Sequence, residues 1–170
     1  MDKIKVGSTY GYLNFITASE QEILLSWCLK NQHKFYFNSS GNNRHFAILQ
    51  NWPDAPMSLV NALKSRIVNL EKMEDYKPEP IFKDYIGLIN EHGAIHPHQD
   101  VNQPPYTHTR YNVVISYPDQ GGESIYGDEV NSLQELMVWK CVAGKVIHGS
   151  TPVVGNKPRI TLSLGFLIND

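Results

Sequence analysis

The segment that most constrains the fold is the run RITLSLGFLI at residues 159–168. Ile160, Leu162, Leu164, Phe166 and Ile168 alternate there with Arg159, Thr161, Ser163 and Gly165. Successive side chains of a β-strand point to opposite faces, so these two sets occupy opposite faces of one strand. One face is wholly apolar and must pack against a helix or a second sheet. The other carries a guanidinium and two hydroxyls. An arginine facing inward is costly without an anionic partner, so this face is expected to look onto an anion-binding site. A similar texture begins near residue 81. RYNVVISY (110–117) sets Tyr111, Val113, Ile115 and Tyr117 on one face, PDQGG (118–122) reads as a turn, and ESIYG, ELMVWKCV and GKVIHG read as further short strands. Many short strands at near-regular spacing predict a sandwich, barrel or jelly roll.

The first 80 residues read differently. Ser19 with Glu22 three residues on forms a capping box before Ile23, Leu24, Leu25, Trp27 and Leu29, which predicts a helix ending near Asn31. A second helix is expected to begin between Asp54 and Met57, where Pro56 suits a first turn. Leu59, Val60, Leu63, Ile67 and Leu70 give it one apolar face. The polar EKMEDYKPEP that follows reads as a connector. At 170 residues the chain fits a single domain, with 1–80 as helical or mixed support and 81–170 as the core that carries chemistry.

Composition removes several function classes. A net charge of −2 gives no global attraction to nucleic acid or to an anionic membrane. Cys28 and Cys141 lack any Cys-x-x-Cys spacing and read as two buried thiols, not as a zinc knuckle or a disulfide framework. The N-terminal residues contain no apolar run of signal-peptide length, and no stretch approaches the roughly 18 apolar residues of a membrane span. The expected location is the cytosol.

The candidate chemistry lies in the β-rich half. In an extended strand His98 and Asp100 share a side and can offer an imidazole and a carboxylate to one metal ion. His148, at the end of GKVIHG, supplies a candidate third ligand. Two histidines and one carboxylate leave coordination positions open, which suits non-haem Fe(II), whereas a closed four-ligand set suits structural zinc. Arg159 follows His148 by eleven residues, with Thr161 and Ser163 behind it on the same face. A fixed guanidinium with hydroxyls beside it is what a carboxylate needs for binding inside a barrel.

His98-Gln99-Asp100, His148 and Arg159-Ile160-Thr161 together resemble the ordered His-x-Asp … His … Arg-x-Ser/Thr pattern of the Fe(II)/2-oxoglutarate dioxygenases. RYNVVISYPDQGGESIY and HGSTPVVGNKPRITLSLGF are similar to the corresponding segments of the prolyl 4-hydroxylase-like branch. The resemblance runs from about residue 81 to 168. It implies an α+β fold, a double-stranded β-helix (jelly roll) with N-terminal supporting helices. It also implies Fe(II) on His98, Asp100 and His148, and O2 as a reactant. The cosubstrate, 2-oxoglutarate, would be held through its far carboxylate by Arg159 with Thr161 or Ser163. The implied activity is hydroxylation of a C–H bond, foremost in a peptide or protein side chain of prolyl type, coupled to decarboxylation of 2-oxoglutarate to succinate.

Departures and alternatives bear on that reading. The family often carries a tyrosine before His-x-Asp that touches the cosubstrate; Tyr85 is available, but its register looks shifted. Asp100 argues against the halogenase variant, and Gly165, where the nucleic-acid demethylases carry a second arginine, argues against that branch. The same chemistry on a free amino acid, a small molecule or a modified nucleobase is a second reading. A metal-binding jelly-roll module without turnover, or a zinc cupin, is a third; neither needs Arg159. His96 shares the face of His98 and reads as a surface residue, and His33, His45, His92 and His108 have no ligand spacing. VNQPPYTHT (101–109) is expected to overhang the site as a substrate loop, and Asn42-Asn43-Arg44 is too short to count as a basic patch.

Overall fold

The alternation of residues 159–168 runs through the middle of a nine-stranded antiparallel sheet. The structure is a computed structural model and describes residues 1–169. In chain order the elements are β1 (Lys3–Val6), β2 (Thr9–Tyr12), α1 (Ala18–Asn31), β3 (Tyr36–Phe37), β4 (Gly41–Ile48), α2 (Met57–Glu71), β5 (Tyr76–Pro78) and β6 (Tyr85–Ile95). There follow β7 (Thr107–Ser116), β8 (Gln120–Gly121), β9 (Ser124–Tyr126), β10 (Glu129–Asn131), β11 (Val138–Cys141), β12 (His148–Ser150), β13 (Val153–Val154) and β14 (Arg159–Ile168). The large sheet has the order β1-β2-β11-β7-β14-β6-β4-β3, with β5 paired to the far end of β14. The short strands β10-β9-β12 and β13-β8 form two smaller sheets.

Each face of the large sheet has its own work. Ile160, Leu162, Leu164 and Phe166 of β14 are fully buried. They join Ile86 and Leu88 of β6 and Tyr111, Val113 and Ile115 of β7 in a core closed by Leu24, Trp27 and Cys28 of α1 and Val60, Leu63 and Ile67 of α2. Burial of a side chain of this size stabilises by about 1.5–3 kcal/mol, so the apolar face of β14 alone is a large fraction of what holds the helices on. On the other face a second cluster gathers Val114, Tyr126, Met137, Trp139 and Cys141. Among the described residues no helix is long and apolar enough to cross a membrane.

The helices differ from the sequence reading in detail. α1 is capped by Thr17, not Ser19. The Thr17 hydroxyl accepts from the Glu20 N–H at 3.2 Å, and the Glu20 carboxylate accepts from the Thr17 N–H at 2.8 Å. Both positions fit the capping-box pattern. The earlier start wins because Phe15 and Ile16 are pinned just before it, both N–H groups donating to the Leu136 carbonyl, and because Glu20 pairs with Arg66 of α2 at 2.8 Å. α2 begins at Met57 behind Pro56, runs to Glu71 and is closed by Lys72, a left-handed cap. Within the expected connector, residues 76–78 pair with β14 as an edge strand.

Glu71, the last residue of α2, fastens the helix to the sheet. Its carboxylate accepts from the phenols of Tyr12 at 2.6 Å, Tyr111 at 2.8 Å and Tyr10. Desolvation raises its pKa, but the three phenols outweigh that and hold it below the usual carboxylate range. A depressed folded pKa means the stabilisation is present above the carboxylate range and is lost as pH falls through it. Glu71→Gln is therefore expected to lower urea stability at neutral pH by about 1–3 kcal/mol. The gap to wild type should close as pH falls below about 4.

Candidate functional site

The cavity face of the large sheet is built by the same period-two rule as the core face. β14 presents Arg159, Thr161 and Ser163, β6 presents Tyr85, Gly87 and Ile89, and β7 presents Arg110 and Asn112. With Arg44 and Phe46 of β4 and Trp139 and Cys141 of β11 they line a cavity of about 290 Å³. The smaller sheets close it from the far side through His148 and Gly149.

His98 and Asp100 do not lie on a regular strand as expected. β6 ends at Ile95, and both residues sit on the irregular segment beyond it. His98 is held by a two-bond bridge: its N–H donates to the His148 carbonyl at 3.0 Å, and the His148 N–H donates back at 2.8 Å. The paired residues of such a bridge project to the same side, and the two imidazole centroids lie 4.5 Å apart. Gly149 makes the approach possible, since a Cβ there would lie 2.8 Å from the Ile95 carbonyl oxygen. Asp100 is fixed independently, its N–H donating to the Ala143 carbonyl at 2.9 Å. One ligand atom from each of His98, Asp100 and His148 lies within 4.8 Å of the others.

The surroundings orient these donors for a metal. His98 Nδ1 lies 2.7 Å from the His96 carbonyl and His148 Nδ1 lies 3.0 Å from the Val146 carbonyl. A carbonyl only accepts, so each Nδ1 carries the proton and each Nε2 keeps its lone pair free. Burial pulls the His148 pKa below the usual histidine range, which favours the neutral ligand form. Asp100 divides its oxygens: Oδ1 lies 3.6 Å from His98 Nε2, while Oδ2 lies 3.4 Å from His108 Nδ1 and 4.0 Å from Arg110 Nε. Two neutral imidazoles and one carboxylate with free positions fit a divalent ion of the ferrous type.

Across the cavity, Arg159 is only 5% exposed and donates to the Ser124 hydroxyl at 2.8 Å. Among the described residues no carboxylate pairs with it. Burial, and after it the charge of Arg44, draw its pKa down to about 10, so it stays charged at neutral pH. The Ser163 hydroxyl, four residues along the same face, is buried and among the described residues has no hydrogen-bond partner. Buried polar groups are ordinarily satisfied, so a cation and an orphaned hydroxyl on one wall mark a place where an anionic, hydrogen-bonding ligand fits.

Other expectations resolve differently. Tyr85 does reach the cavity, opposite Ser163 in the ladder, with the Arg110 guanidinium 4.8 Å from its ring centre. Tyr111 belongs to the helix-side core through Glu71, and Tyr117 packs on the second cluster instead of sharing the face of Tyr111. The 101–109 segment does not line the cavity. Tyr106 turns toward Asp75 and Lys77 instead, drawn by a hydrogen bond and a cation–π contact. The turn of Asn38, Ser39 and Ser40 and the ring of Phe82 form the rim. His96 is exposed and contributes its carbonyl. Sequence reasoning missed Arg44, His108 and Arg110. The signal for the last two was present, since they alternate with Tyr111 and Val113 on β7.

No protein-family model and no curated protein matches the sequence. Solved structures do match. A Pseudomonas putida prolyl-4-hydroxylase shares 13% identity over 94% of this chain and 91% of that one, with a TM-score of 0.67. The viral collagen prolyl hydroxylase of Paramecium Bursaria Chlorella virus-1, in its 2-oxoglutarate complex, shares 14% over 93% and 94%, with a TM-score of 0.66. HygX from Streptomyces hygroscopicus, with nickel and 2-oxoglutarate bound, shares 9% over 93% and 82%, with a TM-score of 0.64. The likeness is one of fold: the chain has the α+β double-stranded β-helix of the Fe/2-oxoglutarate oxygenases.

Calorimetric titration of the metal-free protein with Mn(II) is expected to give one site per chain. Removing an outer partner of a metal ligand typically costs 10–100-fold in affinity. On that scale His108→Leu should weaken binding about tenfold, and His98→Ala or Asp100→Ala about a hundredfold or more.

Proposed function

We propose that the protein is an Fe(II)- and 2-oxoglutarate-dependent oxygenase that hydroxylates a substrate C–H bond. The observation that carries this reading is the pairing, in one cavity, of a converging two-histidine, one-carboxylate donor set with a buried arginine that has no carboxylate partner among the described residues. A metal-binding module without turnover needs the first of these and not the second. When bound, ferrous iron and 2-oxoglutarate supply the redox chemistry: O2 is consumed, one oxygen atom enters succinate as CO2 leaves, and the other enters the substrate C–H bond as hydroxyl.

The chain's own residues do the rest. His98 and His148 hold the ion through Nε2, their rings locked by the His96 and Val146 carbonyls. Asp100 would add one negative charge, and His108 and Arg110 engage its second oxygen. Arg159, backed by Ser124, binds the far carboxylate of 2-oxoglutarate, and Ser163 and Thr161 donate hydroxyl hydrogen bonds along the same wall. Ile89 and Trp139 add apolar surface to the lining, and a less polar surrounding strengthens each of these charge contacts. In this reading residues 81–170 supply the metal and cosubstrate groups, residues 1–80 support them, and the protein works in the cytosol.

For the substrate, the likeness to prolyl hydroxylases supports a prolyl side chain in a peptide. A small molecule is the second reading, supported by a cavity at the lower end of the size range of small-molecule sites. HygX has also been solved with hygromycin B bound.

The test is formation of succinate from 2-oxoglutarate in air with Fe(II), measured by mass spectrometry. The expected result is turnover by wild type and none by Asp100→Ala. Arg159→Gln is expected to raise the KM for 2-oxoglutarate by about a hundredfold, the scale for leaving a buried charge unpaired. Succinate formation that both substitutions leave untouched would contradict the proposal.

A further inference from the structure

Arg44 is a second buried guanidinium on the wall of the same cavity. It stands on β4, and both Arg44 and Arg159 are in register with Ile89 of β6. Directly paired residues share a face, so the two guanidiniums flank Ile89, with backbones two strand spacings, roughly 10 Å, apart. Arg44 is 6% exposed. Its side chain donates to the Ser40 hydroxyl, and among the described residues no carboxylate pairs with it. The third arginine of the cavity differs: Arg110 is matched by the buried carboxylate of Glu79 at 2.9 Å.

Charge accounting separates the two free cations. A divalent ion, Asp100, the 2-oxoglutarate dianion and Arg159 together carry no net charge. Arg44 is then left as one uncompensated positive charge in the loaded cavity, and a buried charge in that condition is costly. Its position is also different. Arg159 is anchored on Ser124 under the smaller sheet, whereas Arg44 is anchored on the turn whose Ser39 is exposed at the rim. Phe46, two residues on along the same face, stacks edge-on with Phe82 and Tyr85 at 6.2 Å between ring centres, which gives an apolar wall beside the guanidinium.

We propose that Arg44, with Ser40 beside it, binds the carboxylate of the primary substrate, and that this substrate is a small monocarboxylic acid whose apolar body lies against Phe46 and Phe82. This inference rests on the oxygenase reading above. It favours the small-molecule substrate, because an internal prolyl residue of a peptide offers no carboxylate to Arg44.

The test uses the full chain loaded anaerobically with Mn(II). 2-Oxoglutarate is titrated first by calorimetry. Then L-proline, L-leucine and 3-phenylpropionate are titrated, each against its own carboxamide, together with a terminally blocked prolyl peptide. At least one acid should bind, with its carboxamide weaker by about tenfold or more. Arg44→Gln should abolish that preference while leaving 2-oxoglutarate binding as in wild type, and Arg44→Lys, which keeps the charge and loses the fork, should restore part of it. Three results would overturn the inference. One is loss of 2-oxoglutarate binding in Arg44→Gln as severe as in Arg159→Gln. Another is no acid preferred over its carboxamide. The third is a blocked peptide bound equally well by wild type and Arg44→Gln. Failure of the wild type to bind 2-oxoglutarate in the first titration would instead overturn the oxygenase reading, and this inference with it.

Discussion

Two backbone hydrogen bonds, exchanged between His98 and His148, hold the site together. They join the irregular chain that follows β6 to the short strand β12, which the sequence sets far apart. They bring the two imidazole centroids to 4.5 Å from one another. The local sequence is arranged to permit the bridge. Gly149 removes the Cβ that would meet the Ile95 carbonyl, and the Ser150 hydroxyl accepts from the Ile95 N–H at 2.9 Å just beside it. The carbonyls of His96 and Val146, each two residues before a ligand, then fix which ring nitrogen carries the proton. The corner where the three donor side chains converge is thus set by main-chain geometry.

The second constraint is the two-faced character of the central strands. On β6, β7 and β14 one face is apolar and sealed by α1 and α2, and that burial supplies the stability. The opposite face, continued by β4, carries three buried arginines, Arg110 of β7, Arg159 of β14 and Arg44 of β4, and a protein interior tolerates such charges only with partners. Arg110 has such a partner in Glu79, which lies over Gly165 where a side chain would collide with it. Among the described residues Arg159 and Arg44 have hydroxyl partners and no carboxylate. The fold therefore carries two unbalanced charges into one cavity. The helix-side core offsets that cost, and in the proposed reading bound anions relieve it. Stability and binding reside on opposite sides of the same residues.

Much of this was legible in the sequence, for one physical reason. Period-two alternation survives wherever a strand has unlike faces, so residues 159–168 announced both the core stripe and the polar wall. The same reading applied to residues 110–117 picked out Tyr111, Val113, Ile115 and Tyr117 but passed over Arg110 and Asn112, which belong to the cavity face. Arg44 was hidden because β4 carries a register shift between Asn42 and Arg44 that breaks the alternation. The Thr17 and Ser19 caps were indistinguishable by pattern, and only tertiary partners, Leu136 and Arg66, decide between them. The position of the 101–109 segment could not be read either. Polar, proline-rich composition says that a segment is a loop and not which side of the molecule it covers.

The central claim is that one cavity holds a ferrous ion and 2-oxoglutarate together. The most direct measurement is anaerobic addition of Fe(II) and then 2-oxoglutarate to the metal-free protein, following the weak visible charge-transfer absorption of the chelate. The account predicts that the band forms with wild type, is absent with Asp100→Ala, and needs more 2-oxoglutarate to develop with Arg159→Gln. A correctly folded wild-type protein that binds the metal and shows no band on adding 2-oxoglutarate would contradict it.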